Sequence, residues 1–194
     1  MPLQINLHGK KVVIAGGGRV AARKMQMLLK TDAIIRIIAP ILDKEIATLS
    51  ASGAISTRIG EYCAADLEGA FLVVAATDDS TVNSRVAADA RQAGILVAVT
   101  DAPELGNCTF PAILRRGDLQ VSVATGGRCP AFAVVVRDFL AKIIGDNYGI
   151  ALEQLAAERE KLLTEGNSNT YNSQFIRLLA ARLIDELSEH KESP

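Results

Sequence analysis

The sequence predicts an α/β fold built on a doubly wound parallel sheet, followed by a small β-hairpin module and a helical C-terminal region. Three observations carry that reading. Short apolar runs of strand length alternate with helical stretches over the first half of the chain. The first of these runs ends in consecutive glycines that open straight into a helix. Beyond Asp101 the alternation stops, and two strand-like runs follow one another with only a turn between them.

The first strand is Val12-Val13-Ile14-Ala15, closed by Gly16-Gly17-Gly18. A helical pattern begins at Arg19, with Val20, Met25, Leu28 and Leu29 on one side and Arg23, Lys24 and Lys30 interspersed. Gly16-x-Gly18-x-x-Ala21 fits the G-x-G-x-x-G/A fingerprint of a Rossmann-like dinucleotide-binding unit. Each small residue has a physical reason to be there. Gly16 permits the tight turn, Gly18 lets the backbone approach a pyrophosphate, and Ala21 lets the helix pack closely on the strand. The helix N-terminus then offers free N–H groups and a partial positive charge to phosphates. A glycine turn that merely joins two elements is the alternative, and the strand before it and the helix after it favour the nucleotide site.

A second buried strand follows at residues 34–39, β-branched and nearly free of charge, and Pro40 stops it. Residues 43–49 form a short amphipathic helix ended near Gly53, residues 55–59 a third strand, and residues 71–76 a fourth. Asp79 or Ser80 caps the next helix, which runs to Ala93 before Gly94 ends it. Residues 96–100 are the fifth strand. Residues 109–114 and 119–124 pair as a hairpin across Arg115-Arg116-Gly117-Asp118. Pro130 suits the first turn of a helix over residues 131–144. Two further helices are predicted at 150–163 and 172–187, separated by the polar stretch 165–170, with fraying from residue 189 onward. Three regions result: a dinucleotide-binding domain over 1–104, a hairpin-and-helix module over 105–148, and a helical region over 149–194. The later regions are too small to form a core alone and are expected to pack on the first or on a partner chain.

Composition excludes several classes. With 49% apolar and 22% charged residues the chain folds, and a net charge of −1 argues against a general nucleic-acid binder. No apolar run reaches membrane-spanning length, and the segment Met1-Pro2-Leu3-Gln4-Ile5-Asn6-Leu7 lacks the blocks of a signal peptide, so a cytoplasmic protein is expected. Cys63, Cys108 and Cys129 are odd in number and widely spaced, which suggests neither disulfides nor a zinc site. His8 and His190 stand at opposite ends, so no metal centre is expected.

Ligands of such a sheet bind beyond the carboxyl ends of the strands, where strand order reverses. Gly16, Ala76-Thr77-Asp78 and Thr100-Asp101 fall at those ends. A dinucleotide lying across Gly16 to Gly18 brings its far ring toward Ala76, Thr77 and Asp101. Asp101 reads equally as a proton acceptor for dehydrogenation or as the opener of an Asp-Ala-Pro turn. The expected acid about 20 residues past the fingerprint is missing, because the second strand ends Ile38-Ala39-Pro40. Backbone around Pro40 and Ile41 must hold the ribose, leaving the choice of NAD over NADP weakly specified. Arg115, Arg116, Gly126, Gly127, Arg128 and Arg137 form a basic, glycine-containing lip that suits a polycarboxylate if it faces the crevice, and is solvated surface charge otherwise. Cys129 is either a reactive thiol or a small packing residue.

Four stretches together carry a more specific likeness. They are the residues from Ile14 through Gly16-Gly17-Gly18 to Lys24, Ala75-Ala76-Thr77-Asp78-Asp79-Ser80-Thr81-Val82-Asn83, Val99-Thr100-Asp101-Ala102-Pro103 and Gly126-Gly127-Arg128-Cys129-Pro130-Ala131. In this combination and order the chain resembles the precorrin-2 dehydrogenase family, which includes the dehydrogenase/ferrochelatase portion of sirohaem synthase. The resemblance implies NAD-dependent oxidation of precorrin-2 to sirohydrochlorin, with Fe2+ or Co2+ insertion into the product in some members. It implies cofactor contacts from Gly16, Gly17, Gly18, Arg19, Val20, Pro40, Ile41, Ala76, Thr77 and Asp78, and makes Asp101 the catalytic carboxylate. It puts Asn107, Thr109, Phe110, Pro111, Gly126, Gly127, Arg128 and Cys129 on the tetrapyrrole side, and implies a homodimer formed through the middle module. Larger relatives continue into a methyltransferase domain, so uroporphyrinogen methylation is expected to reside elsewhere. Some relatives have serine where this chain has Cys129. The competing class is a non-catalytic NAD-sensing regulatory module, which needs no proton acceptor beside the nicotinamide.

Overall fold

The computed structural model describes residues 2–164 and 173–189. The chain divides after Phe110 into two compact units. The first contains β1 (Lys11–Ala15), α1 (Arg19–Leu29), β2 (Ile34–Ala39), α2 (Lys44–Ala51), β3 (Ser56–Ile59), β4 (Leu72–Ala75), α3 (Ser80–Gln92) and β5 (Leu96–Val99). Short 3₁₀ turns lie at Ala64–Leu67 and Pro103–Leu105. All five strands are parallel, in the order β3-β2-β1-β4-β5. The predicted doubly wound α/β fold is found.

Both faces of the sheet are covered, which is why the inner strands are apolar without alternation. Successive side chains of β1 point to opposite sides. Val12 and Ile14 join Ala21, Ala22, Met25 and Leu28 of α1 and Ile46 of α2 in one buried layer. Val13 and Ala15 join Val86, Ala87 and Ala90 of α3 in the other. Val20, expected on the inward side of α1, is instead 43% exposed. The buried stripe runs through positions 21, 22, 25 and 28, and this turns Val20 outward at the start of the helix.

No α-helix connects β3 to β4. The Ala64–Leu67 turn is ordered by a carboxylate: Asp66, 3% exposed, accepts the Cys63 N–H at 2.9 Å and is gripped by two guanidinium nitrogens of Arg58 at the end of β3. Burial alone would raise the Asp66 carboxyl, but these hydrogen bonds outweigh it and hold the group below its ordinary range.

The expected boundary at residue 104 falls inside the first unit, because residues 106–110 strap back onto the sheet. Asn107 N–H and Cys108 N–H donate to the Val97 carbonyl at 2.9 and 3.2 Å. The Asn107 side chain accepts from Val97 N–H at 2.7 Å and donates to the Ile95 carbonyl at 3.1 Å. Cys108 and Phe110 pack against the core, and the Lys24 ammonium lies 4.3 Å from the Phe110 ring centroid.

The second unit carries the hairpin β6 (Ala112–Arg116) and β7 (Leu119–Val123), then α4 (Pro130–Ile143), α5 (Asn147–Thr164) and α6 (Ser173–Glu189). Arg116 pairs with Leu119 across the two-residue turn at Gly117-Asp118. Arg116, read as part of a basic lip, serves the fold instead. Its Nε and Nη2 donate to the Ile144 and Ala141 carbonyls at 2.8 and 3.1 Å, capping the end of α4. Ala133 and Leu114 are buried, whereas Phe132, Val135 and Phe139 of α4 are exposed. The expected polar linker at 165–170, His190 and the C-terminal residues from 190 lie outside the described residues. Among the described residues no helix is long and apolar enough to cross a membrane.

Candidate functional site

The strands of the parallel sheet all end on one edge, and hydrogen bonding carries on past their ends. Gly16 N–H donates to Ile38 O at 2.9 Å, Ala76 N–H to Ala15 O at 2.8 Å, and Thr100 N–H to Ala75 O at 3.0 Å. The segments leaving β2, β1, β4 and β5 therefore run side by side. Gly16-Gly17-Gly18, Pro40, Ile41, Ala76-Thr77-Asp78 and Asp101 come together on this edge of the first unit.

The three glycines are not equivalent. Gly16 sits at φ +128°, and a Cβ there would stand 2.2 Å from the Ala76 carbonyl oxygen, so only glycine lets β1 and β4 exit in contact. A Cβ on Gly17 would stand 2.0 Å from Ile41 O, and the Gly17 carbonyl accepts Asp43 N–H at 2.7 Å. Gly17 thus locks the loop after β2 against the glycine turn, a role the fingerprint alone does not assign. A Cβ on Gly18 would meet nothing within 4 Å. Gly18 is the exposed N-cap of α1 and supplies no side-chain cap. An open, uncapped helix start at the sheet edge fits a pyrophosphate group, which the first N–H groups of α1 would hold. Arg19 and Val20 flank it, exposed, and Ile41 is 81% exposed where an adenosine would extend.

At the other end of the edge, Asp79 caps α3 by accepting from Thr81 and Val82 N–H at 2.7 and 3.3 Å, and the same bonds hold its carboxyl below the ordinary range. Of the two expected caps, Asp79 rather than Ser80 serves. Asp101 is exposed, and its Oδ1 accepts from Asn83 Nδ2 at 3.0 Å. Asn83 was not among the expected site residues. It is 1% exposed and occupies the inward stripe of α3 with Val86, Ala87 and Ala90. A polar residue at helical spacing within an apolar stripe was the signal that could have found it.

The residues expected on the substrate side fall in both units. Asn107 has both ends of its amide committed to β5, Thr109 is exposed, and Phe110 is half-buried beneath Lys24. Burial, aided by the Arg23 charge, lowers the Lys24 ammonium pKa. Pro111 opens the second unit. There Gly126 and Gly127 take positive φ values of 61° and 78° and turn the chain into α4. Arg128 N–H donates to Thr125 O at 3.1 Å and Cys129 N–H to Thr125 Oγ1 at 3.3 Å, leaving all four residues of the 126–129 loop exposed. Among the described residues no three His, Cys, Asp or Glu side chains gather to hold a metal.

The sheet order and the open glycine turn define a dinucleotide-binding protein. The chain belongs to the NAD_binding_7 family, described as "Putative NAD(P)-binding", whose model matches residues 3–112. It is 40% identical over 162 residues to a siroheme synthase of Pseudomonas putida (strain W619), covering 84% of this chain and 35% of that protein. A siroheme synthase of Chromobacterium violaceum is 42% identical over 148 residues, 76% of this chain and 32% of its own length. The chain thus spans about a third of the length of these curated relatives. Among solved structures, SirC, precorrin-2 dehydrogenase, shares the fold with a TM-score of 0.70 at 24% identity, over 98% of this chain and 99% of that one.

Proposed function

We propose that the protein is a precorrin-2 dehydrogenase that oxidises precorrin-2 to sirohydrochlorin with NAD⁺. The observation that carries this reading is the shared sheet edge: the open Gly18 turn and the Asp101 carboxylate both belong to it. The names carried by the siroheme synthases and by SirC supply the substrate class. NAD⁺, when bound, provides the hydride acceptor. Gly18 and the first N–H groups of α1 hold its pyrophosphate, and backbone at Pro40 and Ile41 supports the ribose. Ala76, Thr77 and Asp78 flank the nicotinamide end. Asp101 accepts the proton that leaves as the substrate gives up its hydride, so two hydrogens depart as one hydride and one proton. In the second unit, the exposed 126–129 loop offers Arg128 as a partner for tetrapyrrole carboxylates.

The same carboxylate is suited to take pyrrole N–H protons when Fe2+ or Co2+ enters sirohydrochlorin, the metal being substrate and the macrocycle its ligand. The exposed face of α4 supports a homodimer, in which a second copy covers Phe132, Val135 and Phe139. Three free cysteines suit the reducing cytoplasm. The test is spectroscopic: incubation with precorrin-2 and NAD⁺ yields NADH absorbance together with the sirohydrochlorin chromophore, and later addition of ferrous or cobaltous ion reads chelation. Tight NAD⁺ binding with neither signal would leave the non-catalytic sensor standing in its place.

A further inference from the structure

We infer that Asn83 is a positioning residue: its buried amide fixes the Asp101 carboxylate, holding Oδ1 and presenting Oδ2 to the substrate. This inference rests on the dehydrogenase reading for its catalytic consequence, though not for its geometry. Asn83 Oδ1 accepts from Thr77 N–H at 3.0 Å and from Thr77 Oγ1 at 2.7 Å, and Nδ2 donates to Thr77 O at 3.1 Å and to Asp101 Oδ1 at 3.0 Å. Both amide hydrogens are committed, while the single Thr77 hydroxyl hydrogen also has Asp79 O within reach at 2.9 Å and serves one of the two acceptors at a time.

The orientation of that amide is forced. A backbone N–H can only donate, so the atom facing Thr77 N must be the amide oxygen, and the NH₂ group is thereby turned toward Asp101. A clip for the Thr77 turn needs only three of the four bonds. The fourth reaches the exit of β5 and holds an exposed carboxylate, which has no burial of its own to satisfy. With Oδ1 committed as an acceptor, the arriving proton goes to Oδ2, which has no hydrogen-bond partner among the described residues. Thr77 and Asp101 flank the proposed nicotinamide position, so a single side chain of α3 sets the spacing between ring and proton acceptor.

Two measurements on the full chain test this. In the ¹⁵N spectrum, Asp101→Ala should shift one Asn83 side-chain amide proton upfield and leave its partner, bonded to Thr77 O, in place. If both protons stay where they are, the clamp does not exist. For turnover, Asn83→Asp keeps an oxygen facing Thr77 N–H, the bond that holds the Thr77 turn, but sets an acceptor against both Thr77 O and Asp101 Oδ1. It should lower kcat on the order of 10²-fold while the KM for NAD⁺ changes by less than about threefold. Placed in an Asp101→Ala background, the same substitution should cost no further activity beyond about twofold. An undiminished second loss would show that Asn83 acts independently of Asp101 and overturn the inference. Should Asn83→Asp fail to fold, Asn83→Ser runs the same cycle without a buried charge. A wild-type protein with no turnover would refute the dehydrogenase reading, while the amide spectrum still decides the clamp.

Discussion

A methyl group added at each of three consecutive glycines meets three different surroundings, which sets three different phenotypes. At Gly16 it would lie 2.2 Å from Ala76 O, more than an ångström short of ordinary contact, in a backbone conformation that side chains rarely adopt. Overpacking and φ strain each cost about 1–3 kcal/mol, so Gly16→Ala should lose about 2–6 kcal/mol and lower the unfolding midpoint on the order of 10 °C or more. Gly17→Ala meets Ile41 O at 2.0 Å and the Ala39 Cβ at 2.7 Å, and should destabilise comparably by prising the β2 loop from the turn. Gly18→Ala meets nothing within 4 Å and φ there is −88°, so it should lose no more than about 1 kcal/mol, the preference of an N-cap for glycine over alanine. The new methyl would instead occupy the approach to the α1 N–H groups, and dinucleotide affinity should fall about 10–100-fold, or about 1.4–2.8 kcal/mol. Thermal unfolding beside calorimetric titration with NAD⁺ separates the effects. Wild-type affinity in Gly18→Ala, or a collapse in its stability matching that of Gly16→Ala, would refute the assignment of Gly18 to the pyrophosphate.

Asp101→Ala should retain NAD⁺ binding and lose about 10²–10⁴-fold in precorrin-2 turnover, measured by NADH formation. Arg58→Ala strands a buried carboxylate and should cost about 2–3 kcal/mol, discounted because Arg58 is 32% exposed. Asp66 is held below its ordinary range in the folded state, so its contribution is fully present above the usual carboxylate values and is lost as pH falls through the lowered one. Urea unfolding against pH should therefore show wild type losing stability in acid and Arg58→Ala losing much less; parallel curves would remove the pair from the acid limb. Phe139→Glu should turn the proposed dimer into a monomer in sedimentation, since it sets a charge in the exposed apolar stripe of α4; an unchanged sedimenting species would place any self-association elsewhere.

The sheet was legible because its physics is local. Continuous apolar runs such as Val12 to Ala15 and Leu72 to Val74 require burial on both faces, and glycines at Gly16 and Gly18 announce a turn with a helix behind it. Asp101 could be assigned to the correct edge because strand ends follow from strand order. What the sequence concealed are polar side chains whose partners lie far along the chain. Asn83 reaches Asp101, Asn107 returns to Ile95 and Val97, and Arg116 crosses to Ala141 and Ile144. Nothing in the spacing of these residues marks their partners, since hydrogen bonds across a fold leave no period in the sequence. Val20 misled for a related reason. An apolar residue at a helix start reads as core, but here the first turn of α1 opens onto the edge where the phosphates are expected.

Asn107 offers β5 a planar amide, with a donor and an acceptor spaced much as in a peptide group. With Asn107 N–H and Cys108 N–H also on Val97 O, the outer flank of β5 meets an imitation of a sixth strand a single residue wide. A stray extended chain seeking a backbone to zip onto finds those positions taken. On this flank the sheet is closed at those positions by the Asn107 side chain together with two backbone N–H groups, with no further strand laid beside it.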